Sequence, residues 1–148
     1  APLGGFYLRE ESDRPIVLVG GGTGFAPLKG IIEHTFHLGT ERPMHLFWGV
    51  RSRRDLYLPD LPARWMSDHP AFGYTPVLSE PDPDWEGETG WVHDSALRHY
   101  PDMSPFDLYM SGPPPMIIAA REAFGAAGLS ADRMYYDSFE YGARHDEG

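Results

Sequence analysis

The chain has 148 residues, no cysteine, and 22 acidic against 12 basic side chains, a formal net charge of −10 at pH 7. Its length and 41% hydrophobic content fit one domain with a sizeable core, and its acidic balance argues against a nucleic-acid or membrane-surface partner, each of which needs a basic face. With no cysteine it holds no disulfide, no thiolate nucleophile and no cysteine-bound iron–sulfur cluster.

In chain order, the first strong signal is Pro15-Ile-Val-Leu-Val-Gly-Gly-Gly-Thr-Gly-Phe-Ala-Pro27. The apolar run predicts a strand buried on both faces. Gly20, Gly21, Gly22 and Gly24 allow a sharp turn and a close approach to a ligand. Pro27 suits the first turn of a helix. Strand, glycine turn and helix N-terminus together predict a pyrophosphate site, and so a dinucleotide. The helix expected over 26–38 puts Leu28, Ile31, Ile32, Thr35 and Phe36 on one face, with Gly39 as its stop. Strands follow over 44–50 and 72–78, with a short helical turn near 56–65 between them. The segment 79–90 (SEPDPDWEGETG) is polar and turn-rich and reads as a loop. A helix over 92–100, a strand over 106–111, a helix over 113–127 and a strand over 133–137 complete the chain. The helix over 113–127 carries a stripe of Met116, Ala119, Ala120, Ala123, Phe124 and Ala127, and Gly128 ends it. Strands alternating with helices predict an α/β fold, a doubly wound five-stranded parallel sheet with helices on both faces. Ligands then bind at the carboxyl ends of the strands.

No apolar run approaches the ~20 residues of a membrane span and no secretory signal opens the chain, so a cytoplasmic location is expected. The start at Ala1 rather than methionine points to a piece of something longer.

The seven histidines show no metal-binding spacing, and no metal site is expected. Asp82, Asp84, Glu86 and Glu88 read as solvated loop carboxylates. Trp85 and Trp91 flank the turn at 86–90; one is a candidate cover for an adenine, with core packing the plainer reading.

Three motifs in order, G-G-T-G-x-A-P after the first strand, F-W-G-V-R at the second and S-G-P-P-P-M after the fourth, carry a family likeness. The chain resembles the pyridine-nucleotide domain of the ferredoxin–NADP reductase superfamily. It is most similar to oxygenase-type NADH reductases that pair FAD with a 2Fe-2S cluster. The resemblance runs from about Pro2 to Tyr141. It implies that residues 1–12 end a missing flavin-binding barrel, that 13–141 form the NAD(P)H-binding domain, and that 142–148 are a disordered tail. It implies further that Gly21, Gly22, Thr23, Gly24 and Pro27 serve the pyrophosphate, Thr23 reaching toward the nicotinamide ribose. Ser111, Gly112 and Pro113 would position the nicotinamide end. Many relatives carry Cys-Gly where this chain has Ser111-Gly112, which leaves the catalytic role of Ser111 open. Met116 reads equally as packing or ligand contact. Phe139, in the closing aromatic segment, would lie against the flavin, as the second catalytic position.

The nucleotide preference is divided. Arg51, Ser52, Arg53 and Arg54 end the second strand, where an ordinary dinucleotide fold would read a 2′-phosphate and so NADPH. In the resembling family the 2′ position is read after the third strand, where NADPH enzymes show Ser-Arg and this chain has Ser79-Glu80. A carboxylate repels a phosphate and accepts hydrogen bonds from ribose hydroxyls. NADH is favoured, with Arg51 on the pyrophosphate and Arg53 and Arg54 as a solvated patch.

The implied function is transfer of hydride from NADH to FAD. Electrons then pass through an iron–sulfur carrier, on the protein's own flavin and cluster domains, to an oxygenase or similar acceptor. The alternatives are an NADPH-dependent ferredoxin or flavodoxin reductase domain and a non-catalytic dinucleotide-sensing module.

Overall fold

A computed structural model describes residues 6–22, 24–56 and 60–138. The elements are β1 (Ile16–Gly21), α1 (Phe25–His37), β2 (Met44–Val50), α2 (Asp60–Asp68), β3 (Phe72–Leu78), β4 (Glu88–Thr89), α3 (Val92–His99), β5 (Asp107–Gly112), α4 (Pro114–Ala126) and β6 (Met134–Ser138). Short 3₁₀ turns at Arg53–Asp55 and Ala131–Arg133 precede α2 and β6.

Among the described residues the strands form one six-stranded sheet in the order β4-β3-β2-β1-β5-β6, all pairs parallel. The five expected strands are therefore one short. The sixth, β4, lies inside the segment read as a loop. Its two residues pair with Val77 and Leu78 at the sheet edge, too short a run to leave a periodic signal.

Alternation along each strand fixes the two faces. Ile16, Leu18, Leu46, Trp48 and Tyr109 pack with Leu28, Ile31 and Ile32 of α1 and Trp65 of α2. Val17, Val19, Phe47, Leu108 and Met110 pack on the other side with Val92 and Ala96 of α3 and Ile117, Ala120 and Phe124 of α4. The expected face of α1 is buried, with Phe36 at its half-exposed margin. On α4 the stripe differs: Ile117 is buried, whereas Ala119 is exposed.

Residues 6–14 lead into β1 from the α1 side of the sheet. Phe6 and Leu8 are buried with the α1-side core, so this stretch contributes to the domain's own packing. Arg42 holds it in place. Its guanidinium donates to the carbonyls of Arg14 (2.6 Å) and Arg9 (3.1 Å) and to Asp107 Oδ2 (2.8 Å). The Arg9 amide donates to Tyr109 Oη at 2.9 Å, and burial pushes the Tyr109 hydroxyl up to about 12.

The chain runs from β1 to β2 on one side and returns to β5 on the other. The switch point therefore lies between the carboxyl ends of β1 and β5, where an open α/β sheet has its ligand crevice.

Candidate functional site

The crevice at that switch point opens into a cleft of about 650 Å³ along the carboxyl edge. Gly21 and Gly22 of the β1 turn, Gly49 and Val50 of β2 with Arg51 just after it, Ser79 after β3, and Pro113 just before α4 with Met116 within it all face it. The turn is built by glycine. Gly22 has φ +61°, a left-handed conformation that L side chains rarely adopt. Its amide donates to the Gly49 carbonyl (3.4 Å), and the Gly24 amide closes the turn on the Gly21 carbonyl (3.0 Å).

The glycines on either side of Gly22 answer to different neighbours. A Cβ on Gly24 would lie 2.2 Å from the Ser111 carbonyl oxygen, so the start of α1 sits directly on the end of β5. A Cβ on Gly21 would lie 2.6 Å from Met116 Sδ, and one on Gly112 2.6 Å from Met116 Cε. Met116 thus lies across both glycines and forms part of the cleft wall. Ser111 is fully buried, and its Oγ has no hydrogen-bond partner among the described residues. Pro27 is the third residue of α1, inside the turn whose amides have no intrahelical acceptor.

Of the residues singled out by sequence, Gly21, Gly22, Arg51, Ser79, Pro113 and Met116 line the cleft. Gly24, Pro27, Ser111 and Gly112 are not part of that lining, although Gly112 lies against Met116. Glu80 is exposed and outside it, although its amide donates to the Arg51 carbonyl at 2.8 Å. Thr23 and Phe139, with residues 1–5 and the tail at 142–148, lie outside the described residues.

Several lining residues were missed or misread. Trp91 is 70% exposed at the cleft mouth, so core packing is the wrong reading for it. Arg54 and Asp55 also line the cleft, Arg54 while exposed to solvent as the sequence reading had it. Glu88 is half-buried in β4 rather than solvated. It accepts from Ser95 Oγ (2.8 Å) and Arg98 (2.8 Å), and the Arg98 hydrogen bond holds its carboxyl below the usual range. Trp85 is fixed by donation from Nε1 to the Glu88 carbonyl at 2.9 Å.

Among the described residues no helix is long and apolar enough to cross a membrane, and no His/Asp/Glu group is set to hold a metal ion.

Comparison with known proteins agrees with this geometry. Residues 18–122 match the model of the oxidoreductase NAD-binding domain. The chain is 39% identical over 138 residues to the CDP-6-deoxy-L-threo-D-glycero-4-hexulose-3-dehydrase reductase of Yersinia pestis, covering 93% of this chain and 41% of that protein. It is 31% identical over 139 residues to the anthranilate 1,2-dioxygenase electron transfer component of Acinetobacter baylyi, covering 94% and 40%. Among solved structures, the Amycolatopsis cytochrome P450 reductase GcoB superposes with a TM-score of 0.83 at 35% identity, over 88% of this chain and 39% of that one. The chain thus spans well under half the length of these relatives. It belongs to the oxidoreductase NAD-binding domain family.

Proposed function

We propose that this chain is the NADH-binding domain of a flavin-dependent reductase that passes electrons to an oxygenase or similar acceptor. The observation that carries the reading is the cleft at the β1–β5 switch point, walled by the Gly21–Gly22 turn and by Met116.

The residues present fit a dinucleotide. The glycine turn leaves backbone where side chains would block a pyrophosphate, and α1 presents its N-terminus beside it. Arg51 and Arg54 line the same cleft and offset the repulsion between a dianion and an acidic chain. Trp91 offers an exposed ring to the adenine. Ser79 and Glu80 stand at the ribose. Gly112 and Pro113 keep the nicotinamide end close to β5. The unpartnered Ser111 hydroxyl there has a hydrogen bond to offer. Thr23 and Phe139 keep the roles the family likeness implies.

When bound, the nicotinamide supplies a hydride to FAD, and this chain's residues orient it and exclude alternatives. The flavin barrel, ending at residues 1–12, and a 2Fe-2S domain belong to the rest of the protein in this reading. Residues 13–141 form the nucleotide domain and 142–148 a tail. A cysteine-free composition suits the reducing cytoplasm.

A second reading, an NADPH-dependent ferredoxin or flavodoxin reductase, is favoured by one observation: Arg51 and Arg54 both border the cleft beside Ser79. Titration of the 148-residue chain with NADH and NADPH by calorimetry separates the two readings. Saturable binding with NADH tighter supports the first, tighter NADPH selects the second, and binding of neither overturns both.

A further inference from the structure

Arg51, Arg53 and Arg54 leave the end of β2 together, yet only Arg51 and Arg54 line the cleft. Arg53 turns away to the β3–β4 loop. Its Nη2 lies 2.7 Å from Asp84 Oδ1 and 3.5 Å from Asp82 Oδ2, with its guanidinium carbon 5.6 Å from the Trp85 ring centroid. The loop is braced to receive it. The Trp85 amide donates to the Asp82 carbonyl at 3.0 Å, and its indole donates to Glu88. At the other end, a hydrogen-bonded box between Ser52 and Asp55 fixes the 3₁₀ turn that carries Arg53.

We propose that Asp82 and Asp84 are specificity-determining residues that favour NADH by holding Arg53 out of the cleft. The inference rests on the dinucleotide reading above. Arg53 is rooted between two cleft-lining arginines, close to Ser79 and Glu80, whose amides donate to the Val50 and Arg51 carbonyls. Released, its guanidinium becomes a further fork for a 2′-phosphate. Held, it is paired with two carboxylates on the β3–β4 loop and is not free to reach that phosphate. The clasp is open to solvent, with Arg53, Asp82 and Asp84 side chains 45%, 56% and 78% exposed, so breaking it leaves the core intact.

The test is a double-mutant cycle on the 148-residue chain, reading affinities for 5′-AMP and 2′-phospho-AMP by calorimetry. The four chains are the unsubstituted protein, Arg53→Gln, Asp82→Asn/Asp84→Asn, and all three substitutions together. The double substitution is expected to tighten 2′-phospho-AMP about fivefold, with 5′-AMP unchanged. Arg53→Gln is expected to change neither ligand in the native background and to abolish the gain in the Asn background. A gain that survives Arg53→Gln overturns the proposal, since lost repulsion then accounts for it. So does the absence of any gain, or an equal loss of 2′-phospho-AMP from Arg53→Gln in both backgrounds. Failure of both nucleotides to bind the unsubstituted chain removes the dinucleotide reading itself. Intact 5′-AMP binding with no change in preference sinks only the clasp.

Discussion

The Glu80 amide donates to the Arg51 carbonyl at 2.8 Å, which carries the β2–β3 pairing past both strand ends. An acidic and a basic side chain, each a candidate reader of the nucleotide, are thereby fixed on adjacent backbones. Glu80→Arg places a cation where the resembling NADPH enzymes have one. NADPH affinity is expected to rise relative to NADH by roughly tenfold, about 1.4 kcal/mol. An unchanged ratio in paired titrations removes Glu80 from the ribose.

Gly21 and Gly24 flank the same turn and predict opposite phenotypes. In Gly24→Ala the new methyl meets the Ser111 carbonyl, which is backbone and cannot rotate away. About 1–3 kcal/mol of stability should be lost in urea unfolding. In Gly21→Ala the methyl meets the flexible end of Met116. Stability should hold within about 1 kcal/mol, while displaced Met116 narrows the cleft and weakens 5′-AMP. Equal stability losses in the two variants contradict this assignment.

Arg42 is a structural counterpart to these site residues. Its side chain is 6% exposed and that of Asp107 2%. Arg42→Ala strands a buried carboxylate and removes the donor shared by the Arg9 and Arg14 carbonyls. Arg14 (3.4 Å) and Arg133 (3.9 Å) remain near Asp107 and soften the loss. A cost of about 3 kcal/mol is expected in denaturant unfolding. Detachment of residues 6–14 should also appear as new proteolytic cleavage there.

Trp91→Ala should act on binding alone. The indole is 70% exposed and, among the described residues, stacks on His93, with centroids 6.3 Å apart. Its removal is expected to leave the melting temperature in place and to weaken 5′-AMP about tenfold, in line with base–aromatic stacking. Unaltered 5′-AMP affinity would mean that the adenine lies elsewhere.

Much of this architecture was legible because the central strands are long apolar runs punctuated by glycine. The expected strands at 44–50 and 72–78 coincide with β2 and β3. What escaped the sequence depends on distance along the chain or on exposure. Nothing beside Asp107 in the chain announces its partner Arg42, 65 residues away, which meets it only in the fold. A tryptophan's size argues for burial, yet Trp91 directly follows Gly90, which has φ +96°, and is set outward. Glu88 sits among turn residues and acquires its partners, Ser95 and Arg98, only when α3 packs beside β4.

His45 should give the fold a measurable acid sensitivity. It lies half-buried in β2, stacked on Phe47 with centroids 4.1 Å apart. Nδ1 is 2.8 Å from Tyr100 Oη and Nε2 2.7 Å from Thr75 Oγ1. Both hydroxyls can exchange donor and acceptor roles, so protonation breaks neither contact; burial opposes the charge. Burial first, and His99 second, lower the pKa from 6.5 to about 4. The unfolded chain therefore binds a proton that the folded ring refuses between those values. The stabilisation is complete above pH 6.5 and is lost progressively as pH falls toward 4. His45→Gln removes the titration while the surface carboxylates titrate as before. The fall in urea midpoint from pH 7.5 to pH 5 should thus be larger for the native chain than for the variant. Equal falls would show that His45 titrates alike in the folded and unfolded chains.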